Sequence, residues 1–418
     1  MRFVHFVQRY APAIGGSEWY MRRLSEDLVA RGHQVTVITT DAIEVDAIWR
    51  RDAKHIPADK EIINGVEVTR MPIQYLPFHG KTMTLLSFLP FSEARYRFSM
   101  PGPLLPDFDG ITKSAGEFDL VHASALPFTS IIWAASKLAS SRKKPFVVTP
   151  FMHIGIRDRL GYGYRKGYQI KLLSQADVII VHTPTERDAL IKSGLHAGKV
   201  RLLGLGIDAA ALPEGNGTEF RKRHNLTGPI VFNVSARTAD KGAQHVVEAM
   251  RILWKRGRDY HLVMAGPVRR DFKKYLDSIP KEDRQRILDL GVVDEQTKAD
   301  IFDAGDVFCM PSRAESFGLV YLEAWRYGAQ VIAARSGAAP DVVHDKEDGL
   351  LVPFGDVQAI SSAIETALKD KESETPMMEK GLKRLETEFN WARTFERYEE
   401  IIREIFARAD SGGRIGGF

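Results

Sequence analysis

Short runs rich in valine and isoleucine alternate along the chain with stretches whose apolar positions fall three and four residues apart. Residues 2–7, 34–39, 120–123, 146–149, 178–181 and 200–203 read as strands. Residues 17–31, 127–140 and 183–193 read as helices between them. Strands that alternate with helices predict a parallel sheet covered on both faces. The same rhythm then begins again. Residues 230–235, 261–265, 307–310 and 330–334 read as a second set of strands, and 243–256, 316–327 and 357–369 as helices. The sequence does not repeat, only the architecture. The break falls near residues 204–225, where Gly204, Gly206, Pro213, Gly215 and Gly217 suit a linker.

Two segments depart from this rhythm. Residues 46–60 are polar and irregular. Residues 74–109 carry Pro77, Pro90, Pro101, Pro103 and Pro106, too many for one long element, yet are too apolar for a solvated loop. Near the end, Trp391, Phe395, Tyr398, Ile401, Ile402, Ile405 and Phe406 mark one apolar face of a helix over 391–408. Residues 410–418 are glycine-rich and read as a disordered tail.

Length and composition fit this picture. A chain of 418 residues, 44% hydrophobic and 27% charged, has room for two globular domains. The net charge of +4 gives no reason to expect a nucleic-acid partner. Cys309 is the single cysteine, so neither a disulfide framework nor a cysteine-rich zinc site can form. The first ten residues are too short and too polar for a signal peptide, and no stretch approaches the length of a spanning helix. These features predict a cytoplasmic protein, soluble or peripheral on the cytoplasmic face of a membrane.

Three motifs carry candidate chemistry. Gly15-Gly16 stands between the first strand and its helix, where glycines let a ligand approach the backbone and the helix N-terminus favours an anion. A tight turn explains the pair equally well, and the absence of a full Gly-x-Gly-x-x-Gly argues against a dinucleotide dehydrogenase. Arg237 and Lys241 follow a strand in Ser235-Ala236-Arg237-Thr238-Ala239-Asp240-Lys241-Gly242. They could neutralise a diphosphate leaving group, or form a solvated basic turn. The third motif runs from Pro311 to Ala324. There Glu315 and Glu323 bracket a strand-to-helix junction whose Phe317, Gly318 and Leu319 amides can meet phosphate. Two carboxylates beside an anion site suit a ligand that also carries hydroxyls, as a sugar and a ribose do.

With these residues in place, the chain resembles the retaining glycosyltransferases of the two-Rossmann-domain (GT-B) type, family 4-like. The resemblance spans almost the whole chain and rests chiefly on Glu315 and Glu323 in the setting Pro-Ser-x-x-Glu-Ser-Phe-Gly. The order of Gly15-Gly16, His153, Arg237 with Lys241, and the glutamate pair supports it. The resemblance implies an α/β fold of two Rossmann-like domains facing across a cleft, with the C-terminal helix crossing back to the first. Residues 1–205 with 390–408 would form the acceptor domain and 206–389 the donor domain. It implies that Gly15 and Gly16 line the donor site, that His153 lies near the transferred sugar, and that Arg237 and Lys241 hold the diphosphate. Glu315 would meet sugar hydroxyls and Glu323 the ribose. Ser316, Phe317, Gly318 and Leu319 would complete the phosphate site, and Gly266, Val292 and Val293 would flank the base. The catalytic set would be His153, Arg237, Lys241 and Glu315. Ala236 and Ala338 stand where the family usually has glycine, which touches fine donor geometry rather than fold.

Asp107-Phe108-Asp109 fits the Asp-x-Asp pattern of metal-dependent enzymes, but it lies in the proline-broken segment, so no catalytic metal and no cofactor are expected. Residues 142–171 hold eight basic side chains and one acid, Asp158, with aromatic residues between them. With the apolar stretch from Leu85 to Phe98, the region from Arg142 to Lys171 could meet anionic lipid headgroups, or be a solvated face beside a buried segment. The expected activity is metal-independent transfer of a hexosyl group from a UDP- or GDP-sugar to a lipid-linked or glycan hydroxyl, with retention. The alternatives are a nucleotide-sugar epimerase or hydrolase on the same scaffold, and a non-catalytic nucleotide-sugar-binding protein.

Overall fold

The computed structural model describes the chain except residues 58, 90–91, 106–107, 155–166, 374–375 and 411–418, and the side chains of 92 and 408–410. The chain divides into two compact units. The first comprises Met1–Met152, Arg157–Leu203 and Phe395–Phe418, and the second His153–Ile156 and Gly204–Thr394.

Among the described residues the first unit holds eight strands: β1 (Arg2–Phe6), β2 (Gln34–Thr40), β3 (Lys60–Ile63), β4 (Val66–Met71), β5 (Leu120–Ser124), β6 (Phe146–Thr149), β7 (Val178–Val181) and β8 (Val200–Leu202). They lie in the order β3-β4-β2-β1-β5-β6-β7-β8. All neighbours are parallel except the β3–β4 hairpin. Every residue of β5, β6 and β7 is buried, as strands covered on both faces require. The hairpin was not anticipated, although its turn is written in the sequence. Asn64 and Gly65 both take positive φ, 51° and 81°, the pairing that a two-residue hairpin turn needs.

The described residues of the proline-rich segment form the short helices His79–Ser87, Ser92–Arg97 and Phe108–Ala115. The last helix of the chain, Trp391–Asp410, begins in the second unit and continues in the first. Its buried Phe395, Tyr398, Ile402 and Ile405 supply the apolar face expected of it. Tyr398 stacks on His122 of β5, with ring centroids 5.6 Å apart, and shares a 3.1 Å hydrogen bond with His122 Nδ1. The other ring nitrogen of His122 bonds Thr149 Oγ1 at 2.9 Å. The Arg31 guanidinium lies over the Phe395 ring.

Among the described residues the second unit has a wholly parallel sheet of six strands. These are β9 (Ile230–Val234), β10 (His261–Ala265), β11 (Ile287–Asp289), β12 (Val307–Met310), β13 (Gln330–Ala334) and β14 (Leu350–Val352), in the order β11-β10-β9-β12-β13-β14. Strands β11 and β14 are three residues long, too short to announce themselves by periodicity. Where the chain enters and leaves this unit, its two ends pair: Ile207 N–H donates to Phe389 O at 2.9 Å, and Trp391 N–H to Ile207 O at 3.1 Å. Gly206 permits this approach, since a Cβ there would lie 2.1 Å from Phe389 O.

Candidate donor site

The loops at the carboxyl ends of β9–β13 converge within the second unit, the end of an open α/β sheet where ligands bind. The loops after β9 and β12 are bound to each other. Arg313 N–H donates to Asp240 O at 2.7 Å, and the Arg313 guanidinium pairs with the Asp240 carboxylate. Gly242, with φ +73°, precedes the helix Ala243–Lys255, and a Cβ there would meet Pro311 O at 2.5 Å.

This junction brings Lys241 to Glu315, with Nζ 2.6 Å from Oε2. Glu315 is buried, and the loop after β13 fixes it from behind. Ala338 N–H donates to Glu315 O at 3.0 Å, and Ser336 Oγ donates to Arg313 O at 2.6 Å. Gly337 takes φ +61° and would place a Cβ 2.8 Å from Glu315 N. A side chain at Gly337 would therefore displace the catalytic candidate directly.

His153 follows β6 in sequence but groups with the second unit. Its pKa falls to about 4, chiefly through burial and then through the positive charge of Lys241. Near neutral pH the imidazole is uncharged and can offer both a donor and an acceptor.

The helix expected from residue 316 starts at Leu319. Gly318, at φ +95°, caps it, and Phe317 is buried before it. The helix therefore starts three residues later than expected, and its orphan first-turn amides begin at Gly318 and Leu319, with Phe317 and Ser316 in the preceding loop. Tyr321 O–H donates to Met310 O at 3.0 Å, anchoring this helix to β12.

Glu323, on the same helix, pairs with Lys298 at 3.1 Å. Burial pushes its carboxyl above the ordinary range, and Lys298 pulls it back. Its Oε2 is buried and has no hydrogen-bond partner among the described residues. One acceptor is thus left over for a hydroxyl.

Arg237, expected against a diphosphate, has a wholly buried side chain. Nη2 meets Asp289 Oδ1 at 2.6 Å, and Nη1 donates to Gly266 O. Arg237 Nε is buried and has no hydrogen-bond partner among the described residues. Gly266 takes φ +121°, and a Cβ on it would meet Ser235 O at 2.2 Å. Val292 is 62% exposed and Val293 partly so, on the loop after β11.

Gly15 and Gly16 lie in the first unit. A Cβ on Gly15 would fall 2.2 Å from Glu18 Oε2, so this glycine makes room for the buried Arg9–Glu18 pair, 2.6 Å apart. Gly16 opens the helix Gly16–Ala30, and a Cβ there would meet nothing within 4 Å.

Sequence reasoning missed Asp289, Lys298 and Glu186. Glu186 is buried and accepts from Met152 N–H at 2.7 Å and His182 N–H at 3.2 Å. The spacing Thr183-x-x-Glu186, a capping-box pattern, was its visible signal. Of the Asp-x-Asp pattern, Asp107 lies outside the described residues, and Asp109 sits in the first turn of Phe108–Ala115. Among the described residues no group of three or more His, Cys, Asp or Glu side chains is placed to hold a metal ion.

Residues 14–211 match Glycosyltransferase Family 4, and residues 217–384 match Glycosyl transferases group 1. The chain belongs to the family 4-like glycosyltransferases of the GT-B type. Similar curated relatives include a D-inositol 3-phosphate glycosyltransferase of Corynebacterium glutamicum, 30% identical over 58% of this chain and 61% of that protein. Another, an enzyme of the same name from Saccharomonospora viridis, is 25% identical over 94% of this chain and 90% of that one. The first relatives are matched over about three fifths of their own length. Among solved structures, sucrose-phosphate synthase of Thermosynechococcus elongatus shares the fold at a TM-score of 0.75, with 24% identity over 97% of this chain and 99% of that one. Anabaena HepE in complex with UDP-glucose shares it at 0.72, with 17% identity over 97% and 100%. As a family 4-like glycosyltransferase fold, the chain has two parallel-sheet Rossmann-like units, as the alternation of strands and helices predicted.

Proposed function

We propose that the protein transfers a hexosyl group from a UDP- or GDP-sugar to a hydroxyl of a lipid-linked or glycan acceptor, with retention of configuration and without a metal ion. The Lys241–Glu315 pair beside the helix that starts at Leu319 carries this reading. Lys241 and the first-turn amides oppose the negative charge that grows on a departing diphosphate. Glu315 and neutral His153 hydrogen-bond the sugar, and the spare Glu323 oxygen takes a ribose hydroxyl. Glu315 already holds Lys241, so it is poorly disposed to act as a covalent nucleophile, and attack by the acceptor on the face of departure is favoured. The nucleotide-bound structure of HepE supports a nucleotide-sugar donor.

A thermal-shift panel of nucleoside diphosphates tests this. A ligand at 100 times its dissociation constant adds about 2.7 kcal/mol, which one base should deliver and the others should not. No shift with any of them would overturn the reading. Free sugar or an epimer formed at full rate without acceptor would favour a hydrolase or epimerase instead.

A second reading concerns the membrane. Phe78, Leu85 and Phe88 are 86%, 71% and 74% exposed. Phe78 and Phe88 flank the helix His79–Ser87, which carries Leu85 and exposed Lys81. Apolar rings flanking a cation suit the headgroup boundary of an anionic bilayer. Among the described residues no helix is long and apolar enough to cross a membrane. Of the basic stretch 142–171, residues 155–166 lie outside the described residues, while Arg142, Lys143 and Lys171 are exposed.

A further inference from the structure

Glu186 turns both of its carboxylate oxygens to the backbone. Oε1 accepts from Met152 N–H at 2.7 Å, and Oε2 from His182 N–H at 3.2 Å. Met152 follows β6 and His182 follows β7, and these strands are parallel neighbours. The helix that carries Glu186, Pro184–Lys192, is capped by the Thr183 side chain, which accepts from Glu186 N–H. The carboxylate is wholly buried, a costly place for a charge. The ladder between β6 and β7 already joins the two strands and needs no side chain to do so.

The segment before His153 is what the carboxylate holds. Phe151 takes φ +47°, the left-handed region that a residue with a bulky side chain rarely adopts. Its ring stacks on His182 with centroids 5.0 Å apart, and Tyr20 stands edge-on to both rings at 5.3 and 4.9 Å. Leu126 N–H donates to Pro150 O at 2.8 Å. Residues 150–152 are thus gripped by the loop after β5, by Tyr20 and by Glu186. Backbone kept in a rarely populated conformation by its surroundings is characteristic of functional sites.

We infer that Glu186 is a positioning residue for the transfer: by fixing the Met152 amide it sets the orientation in which the chain presents His153. The inference rests on the reading of His153 as a ligand of the sugar, and Glu186 acts through it alone. A neutral imidazole has one donor and one acceptor, so its use depends on where the ring points. A carboxylate offers two acceptors to two N–H groups. Glutamine offers one oxygen and turns its amide hydrogens against the other N–H, and alanine leaves both buried amides unmet.

The test follows the His153 ring itself. Side-chain nitrogen NMR spectra of the full chain are titrated between about pH 5 and 8 for wild type, Glu186→Gln and Glu186→Ala, with His153→Gln assigning the resonance. Thermal unfolding checks that each is folded, and Glu186→Gln decides alone if Glu186→Ala is not. The wild-type ring should stay neutral throughout, since its pKa lies at about 4. Glu186→Ala should bring its titration into this window, towards the ordinary value of about 6.5, with Glu186→Gln in between. With UDP-glucose and GDP-mannose as donor probes, kcat should fall on the order of 100-fold in Glu186→Ala, the cost of a misplacement of about 1 Å, while donor KM stays within about threefold. In a His153→Ala background, adding Glu186→Ala should change kcat little, as for two residues that act as one. An unchanged His153 titration in a destabilised variant, or additive losses of kcat, would overturn the inference and leave Glu186 a residue of the fold only. Wild-type kcat in His153→Ala would instead overturn the reading of His153 on which the inference rests.

Discussion

Lys241 reaches across 74 residues of sequence to donate to Glu315 Oε2 at 2.6 Å. The two loops that carry them are tied independently by Asp240 and Arg313. The pair is therefore held by its surroundings and does not depend on its own attraction to form. That is the preorganisation a leaving-group site needs.

Lys241→Ala should accordingly lower turnover by roughly two to three orders of magnitude, the scale of losing one preorganised charge donor. The fold should survive, because the Asp240–Arg313 contacts remain. Initial rates at saturating donor, with circular dichroism alongside, check this. Wild-type turnover in the variant would remove Lys241 from the diphosphate site.

Metal removal makes a separate prediction. If Lys241 and the helix amides carry the diphosphate charge, activity persists in excess chelator. Abolition by chelator, restored by magnesium or manganese, would show that an ion does this work instead.

Glu186 predicts a pH dependence of stability. Burial raises its carboxyl from 4.5 to about 7, against the opposing pull of the Met152 and His182 amides. The folded chain then holds this proton more tightly than the unfolded chain does. The resulting stabilisation is complete below about pH 4.5 and is lost as pH rises through 7, up to roughly 3 kcal/mol in all. The stability difference between wild type and Glu186→Gln should fall across that window and level off above it. Denaturant unfolding at pH 4.5 to 8 measures it, and a constant difference would mean that Glu186 does not titrate there.

The contact of Tyr398 with His122 sets a fourth expectation. Tyr398→Phe removes one buried hydrogen bond, about 1 kcal/mol, whereas Tyr398→Ala also opens a cavity and should cost about 3–5 kcal/mol. Hydrogen exchange should locate the loss in β5 and β6. Equal destabilisation by both substitutions would show that the ring contributes nothing by packing.

For the membrane reading, Phe78→Ser with Phe88→Ser should abolish sedimentation with vesicles containing anionic phospholipid and leave activity on a water-soluble acceptor analogue unchanged. Binding that persists in the double variant would assign these exposed rings to another role.

The fold was legible in sequence wherever elements were long and buried on both faces. The runs at β5, β7, β10 and β12 are continuous and apolar, and each lies beside a patterned helix. The glutamate motif was legible too, because a strand end, a glycine and a helix start sit within a dozen residues. Arg237 shows where such reading stops. Local chemistry offered a cation at the end of a strand, but its partner Asp289 lies 52 residues away on a three-residue strand that no periodicity reveals. Burial of a charge is decided by a distant partner, and one sequence does not name that partner. Gly15 is similar. Its neighbour Glu18 was in plain view, but the reason for the glycine is a contact with the folded carboxylate.

The helix that carries Tyr398 also dictates an order of assembly. The strands of the first unit are made before the second unit, yet the helix Trp391–Asp410 that covers β5 is made after it. Between them about 190 residues of the second unit, Gly204–Thr394, must be made. At roughly 5–20 residues per second that is on the order of ten to forty seconds. During that interval the surface around His122 has no cover from its own chain. A transcript cut short anywhere in the second half therefore yields a first unit left open, an exposed apolar face that chaperones and proteases can recognise. The helix Trp391–Asp410 thus reports to the first unit that the second has been made.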